Sequence, residues 1–149
     1  EPATLKYELA PARMYPITVQ DVHSGYVRGK QRLITMRSGV YGWPDSRDLH
    51  MAYRYDSRGH RIPAGFITVA DGTSVRTQVV LEDNEIAVIE RIPVKVVSTE
   101  PACIVAERHD EHGLTITANG HGAFQIVAPD GKSLTQKLNG QCQLRIPIP

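Results

Sequence analysis

Five side chains between positions 41 and 50 are of types suited to holding a sugar: Tyr41, Trp43, Asp45, Arg47 and His50. Phenol and indole rings present flat faces on which a sugar ring can stack. A neighbouring carboxylate, guanidinium and imidazole can hydrogen-bond its hydroxyls. Trp43 is the only tryptophan, and it shares with Tyr41 a stretch broken by Gly39, Gly42 and Pro44. No alternation forces a ring inward there, so the chemistry expected is recognition without bond-making.

A second cluster, His109, Asp110, Glu111 and His112, has His121 nine residues beyond it, across an expected hairpin. These are ligand types for zinc or calcium. No HExxH or DxDxDG pattern frames them, and an acidic, glycine-ended segment between strands reads first as a solvated turn. No metal site and no other cofactor is therefore expected. Catalytic signatures are missing too: there is no GxSxG elbow, phosphate-binding loop or GxGxxG. Carboxylates drawn from Asp21, Glu82, Asp83 and Glu90 would suit glycoside hydrolysis only if two stood ~5–10 Å apart. His23, Tyr26 and Arg28 would suit proton abstraction beside a uronate carboxylate only within one cleft. No catalytic residue is assigned, and the chain is read as leaning away from an enzyme.

The totals narrow the partners. In 149 residues the formal charge is +1, with both signs scattered. Nucleic-acid binders carry a clustered basic excess, so nucleic acid is not an expected partner. No apolar run approaches the ~20 residues of a membrane-spanning helix, and membrane insertion is not expected. The chain opens Glu1-Pro2-Ala3-Thr4 without a signal-like segment, which suits a processed or excised start. Cys103 and Cys142 fit no metal-knuckle spacing. They are candidates for one disulfide in an exported chain, with two buried thiols as the other reading.

The elements that would position these groups are strands. Helical periodicity is nearly absent, and ten prolines with twelve glycines punctuate the chain. Short alternating runs rich in Val, Ile, Thr and Tyr replace it. They fall at 4–9, 15–23, 30–37, 49–55, 61–70, 74–81, 86–98, 102–107, 114–118, 123–127 and 142–148. Asp56–Gly59, Asp71-Gly72 and Asp130-Gly131 are the turn signals between them. Pro93 implies that 86–98 bends or lies at a sheet edge. Alternation points Val75, Thr77, Val79 and Leu81 inward, along with Ile92, Val94, Val96, Leu114, Ile116, Ala118, Cys142, Leu144, Ile146 and Ile148. The segment 102–106 is apolar at nearly every position and reads as buried on both faces. In 49–55 Tyr53 and Tyr55 share a face with Leu49 and Met51, leaving His50 on the other. We expect an all-β, antiparallel β-sandwich of jelly-roll or immunoglobulin-like type, about ten short strands with little or no helix, in a single domain over 1–149.

The run Tyr53-Arg54-Tyr55-Asp56-Ser57-Arg58-Gly59-His60-Arg61-Ile62 resembles one unit of the YD (Rhs) repeat, with His60 inserted before Arg61. The resemblance implies a strand–turn–strand and no more, since such shells need tandem copies. In strand density, turn style and aromatic loop the chain is similar to accessory β-sandwich domains of secreted polysaccharide-degrading enzymes. That resemblance implies a non-catalytic module, secreted or extracytoplasmic, that binds glycan through Tyr41 and Trp43 with help from Asp45, Arg47 and His50. The alternative is a structural or protein-interaction domain of an envelope or extracellular assembly, offering strand edges such as 86–97 to a partner.

Overall fold

The computed structural model describes residues 4–9, 13–18, 26–72, 74–108 and 110–148; for 4–9, 13–18 and 27 it describes the backbone alone. Every regular element in these residues is a strand, and every pairing with a defined register is antiparallel. The strands are β1 (Thr4–Leu9), β2 (Arg13–Thr18), β3 (Tyr26–Arg28), β4 (Arg32–Thr35), β5 (Gly39–Tyr41), β6 (Asp48–Tyr55) and β7 (Arg61–Ile62), followed by β8 (Phe66–Ala70), β9 (Val75–Val79), β10 (Ile86–Ser98), β11 (Ala102–Arg108), β12 (Gly113–Val127) and β13 (Ser133–Pro147). The all-β class holds, while the strands are more numerous and two, β12 and β13, are far longer than expected. β1 and β2 pair with each other. The other eleven form one sheet whose main path is β3-β4-β10-β12-β11-β8-β9-β5, with β13 on β12, β6 on β10 and β7 on β6. Strands that change partner at a bend are how one connected sheet can supply both layers of a sandwich. The part of the expected strand 15–23 beyond Thr18 lies outside the described residues.

Two compact units divide the chain. One comprises Glu1–Val40, Ala52–Phe66 and Gln78–Arg91; the other comprises Tyr41–Met51, Ile67–Thr77 and Ile92–Pro149. In the first, β4 pairs with β3 and with the opening half of β10, Ala87–Glu90. Leu33, Ile34, Val88 and Ile89 are buried there. The β6–β7 hairpin closes on the expected Asp56 turn. Asp56 Oδ1 accepts the Arg58 and His60 amides at 2.9 Å each, and Gly59 N donates to Asp56 O. These backbone donors, His60 first, hold the Asp56 carboxyl below its ordinary range. The YD-like run is thus a hairpin, as its resemblance implies.

The second unit is built on β12. One edge of β12 pairs with β13 along its whole length, from Gly113↔Pro147 to Val127↔Ser133. The other edge pairs with β11 over Leu114–Asn119 and with the closing half of β10 over Phe124–Val127. The register runs without a slip across the step between them, where Thr99 N donates to Ala123 O at 3.0 Å and Ala123 N donates to Thr99 Oγ1 at 3.0 Å. Pro101, lacking an N–H, interrupts the ladder at this step. Gly122 takes φ +91°, and a Cβ there would stand 2.7 Å from Thr99 Oγ1. Glycine is required because the step presses on β12. Reading 114–118 and 123–127 as separate strands is therefore corrected: the intervening glycine stretch is continuous strand.

Alternation is obeyed where one face is covered. Val75, Thr77 and Val79 are buried while Arg76 and Gln78 between them are exposed, and Val94 and Val96 are buried with Lys95 exposed between them. β11 is corrected. Ala102 and Ile104 are buried while Cys103 and Val105 are exposed, so one face is open. The disulfide is corrected for the same geometric reason. Cys103 sits opposite Asn119 and Cys142 opposite Ala118. Residues directly opposite share a face and successive residues do not, so the two cysteines project from opposite faces of the sheet. They also stand on strands separated by β12, about 10 Å apart. Both thiols are free.

Candidate functional site

The loop between β5 and β6 is anchored at several points, all within the second unit. Ser46 N donates to Trp43 O at 3.3 Å across Pro44 and Asp45. Asp45 takes φ +56°. Proline second and a left-handed residue third is the placement of a type II turn. Ser46 is buried; its carbonyl accepts Val75 N at 3.3 Å, and its hydroxyl accepts Asp48 N at 3.2 Å. A Cβ on Gly42 would stand 2.9 Å from Val75 O, so glycine lets the loop lie directly on β9.

This anchoring turns the two rings inward. Trp43 is 7% exposed and Tyr41 9%. His50, assigned by alternation to the outer face, is 2% exposed, because β6 is covered on both faces at Leu49, His50 and Met51. The Trp43 and His50 rings meet edge to face, centroids 5.2 Å apart at 70°. His50 Nδ1 hydrogen-bonds Thr77 Oγ1 at 2.9 Å, and Thr77 Oγ1 hydrogen-bonds Thr68 Oγ1 at 2.8 Å. Thr68 and Thr77 are both buried. Indole, imidazole and two hydroxyls therefore form an internal polar chain linking the loop to β8 and β9. Asp45 and Arg47 stay exposed, while the rings they were expected to assist are buried. Stacking needs a ring face in water, and these two rings are packed in the core of their unit.

The ligand-type cluster at 109–121 is not gathered. His109 lies outside the described residues. Asp110 and His112 belong to the turn before β12, where Asp110 Oδ1 accepts His112 N at 2.8 Å. His121 is on the same strand, not across a hairpin, about 30 Å along it at ~3.3 Å per residue. No group of three His, Cys, Asp or Glu side chains converges on a metal position among the described residues. A shallow cleft of about 240 Å³ does open here, lined by Asp110, His112, Gly113, Leu114, Arg145, Ile146 and Pro147.

Asp21 and His23 also lie outside the described residues. Glu82 and Asp83 are exposed on the turn before β10, and Glu90 pairs with Arg32 at 3.5 Å. Tyr26 and Arg28 are half-buried on β3. The best-built ionic group was not anticipated. Glu85, 7% exposed, accepts from Arg54 Nε at 3.1 Å, from Arg54 Nη2 at 2.5 Å and from Glu82 N at 2.6 Å. Arg54 Nη1 donates to Ala64 O at 3.1 Å. The Glu82 amide and then Arg54 hold the Glu85 carboxyl below its ordinary range. This group fastens three segments of the first unit. It joins residues 31 positions apart in sequence, a pairing that no spacing rule picks out.

The edge expected at 86–97 is taken: β10 pairs with β4, β12 and β6. The open edge is β13. It pairs with β12 alone among the described residues, over fifteen residues, whereas β3 and β5 at the ends of the sheet's path have three each. Most β13 side chains are exposed, Ser133–Lys137 without exception. No sequence reading assigned 133–141 to a strand. No helix among the described residues is long and apolar enough to cross a membrane. Comparison of the chain with protein-family models, with curated proteins and with solved structures finds no match.

Proposed function

We propose that the chain is a structural or assembly module that receives a strand of another protein chain on β13. The observation that carries this reading is the fifteen-residue β13 edge, which pairs with β12 alone among the described residues. Such an edge presents a row of N–H and C=O groups that pair with any extended backbone, and natural proteins keep edges short or covered when no partner is meant. The short β3 and β5 follow that rule. An apolar pair adds support. Ile67 and Val105, on hydrogen-bonded neighbours β8 and β11, are 54% and 53% exposed. Glycan stacking on Trp43 and Tyr41 has no comparable support, given their burial. With both thiols free, the cysteines offer no argument for an oxidising compartment.

Amide exchange followed by NMR tests the reading. Alternate amides of Ser133–Pro147, those turned away from β12, should exchange quickly in the isolated chain. A neutral extended nonapeptide, Gln-Val-Thr-Val-Thr-Val-Thr-Val-Gln, should slow them selectively at millimolar concentration. Slow exchange of every β13 amide in the monomer, or no peptide effect on that edge, refutes it.

A further inference from the structure

Resting on that reading of β13, we infer that the strand it receives is β13 of a second copy, paired antiparallel about a two-fold axis at Cys142. The ladder fixes which groups of β13 face the open edge. Ala128 N donates to Lys132 O and Ile148 N to His112 O, at 2.8 Å each, one step beyond either end of the β12–β13 register. Residues at even positions therefore exchange hydrogen bonds with β12, and the odd-numbered residues of β13 turn N–H and C=O outward. An antiparallel strand added there bonds to the odd positions. It meets the even ones at non-hydrogen-bonded pairs, where side chains approach most closely. The even positions are also the covered ones. Leu138, Gly140, Cys142, Leu144 and Ile146 are buried or half-buried, while every odd side chain from Lys137 to Pro147 is exposed.

That covered run is centred on Cys142, so a two-fold axis there lays it on itself. Leu138 of each copy meets Ile146 of the other, Leu144 meets Gly140, and the two Cys142 residues meet at the axis. A Cβ on Gly140 would have nothing within 4 Å, which leaves room for the leucine. On the exposed face Gln141 meets Gln143 and Arg145 meets Asn139, pairs able to share side-chain hydrogen bonds. Lys137 meets Pro147, whose missing N–H ends the pairing. β13 carries two cations and no carboxylate, and this register sets neither cation directly opposite another. Centring on Gln141 would oppose Lys137 to Arg145, and centring on Gly140 would oppose exposed Gln136 to Leu144. The self-matching of the covered run favours a second copy, since a strand of unrelated sequence has no need of it.

Three measurements on the whole chain test this. Sedimentation equilibrium should show a reversible monomer–dimer equilibrium, and odd-numbered β13 amides should gain protection as the dimer fills. Diamide should link the dimer through Cys142: each thiol gives one hydrogen to the diazene, which becomes the hydrazine, and one S–S bond forms. Non-hydrogen-bonded partners have Cα atoms about 4.5 Å apart, within the ~4.4–6.8 Å that a disulfide spans. The link should persist in Cys103→Ser, although Cys103 is the more exposed thiol, and vanish in Cys142→Ser, which should still dimerise. Gln143→Pro deletes an outward N–H and leaves the β12 ladder whole. With two symmetry-related hydrogen bonds lost, it should weaken the dimer roughly 5- to 150-fold with an unchanged circular dichroism spectrum. A dimer indifferent to Gln143→Pro, or linked only through Cys103, lies elsewhere on the chain and overturns the inference. A chain that stays monomeric, with odd amides that exchange quickly and are slowed by the Gln-ended nonapeptide, overturns it and leaves the strand-accepting reading standing. Slow exchange of those amides in the monomer, or a monomer on which the nonapeptide has no effect, overturns both.

Discussion

Replacing Trp43 with alanine removes a side chain that is 7% exposed and sits against His50 at a 5.2 Å centroid separation. An indole at this depth buries about 150–250 Å². At ~25 cal/mol per Å² that area corresponds to about 4–6 kcal/mol, and buried Trp→Ala substitutions cost about 3–5 kcal/mol. We expect a loss of about 4 kcal/mol, since the anchored turn at Ser46 limits collapse of the loop into the space. With a denaturant slope of ~2 kcal/mol per molar, the urea midpoint should fall by about 2 M. Far-ultraviolet circular dichroism is the readout, because the variant has no tryptophan to follow. In the unaltered chain, Trp43 emission should be blue-shifted and iodide should quench it only weakly, while oligosaccharides should leave it unchanged. A midpoint within about 0.5 kcal/mol of the unaltered chain would mark Trp43 as a surface residue. That result, or strong iodide quenching relieved by a glycan, would refute the burial argument and restore the stacking platform.

Two further outcomes follow from the polar interior. Thr77→Val keeps the shape of the side chain but removes the hydroxyl shared by His50 and Thr68, both buried, and should cost about 1–3 kcal/mol in urea denaturation; a neutral result would mean the hydroxyl chain contributes nothing. Glu85 has a folded-state pKa below its unfolded value, so its contribution is complete above the unfolded pKa and is lost as pH falls through the folded one. Glu85→Gln should therefore be less stable than the parent at pH 7 and converge with it as pH drops from about 5 toward 2, whereas parallel stability profiles would show that the carboxylate is not the titrating group.

Class and much of the strand pattern were legible in the residues. Val75–Val79 and Ile92–Val96 alternate because one face of each is covered and the other wet, and a period of two records that difference directly. Asp56–Gly59 wrote its own hairpin, since Asp and Gly supply the acceptor and the backbone freedom the turn uses. β10 was bounded correctly, yet Pro93 could not say that the strand pairs with β4 before it and β12 after it. The run 142–148 was read as strand, but the opening part of β13 was missed because Ser133–Lys137 is exposed on every side chain. A stretch held by its backbone ladder with every side chain exposed leaves no hydrophobic period to read.

The aromatic loop shows the same boundary from the other side. Composition alone set Tyr41, Trp43 and His50 close together, with glycine and proline to bend the chain. Whether those rings meet water depends on Gly42 lying against Val75 and on Ser46 tying the loop to β9, pairings between segments about thirty residues apart. Likewise Cys103 and Cys142 were available for a bridge until the registers of β11 and β13 on β12 set them on opposite faces. Local propensity is written residue by residue, so the chain alone determined that it would be strand and turn. Burial and pairing are properties of which strand lies beside which, and only the tertiary structure decided them.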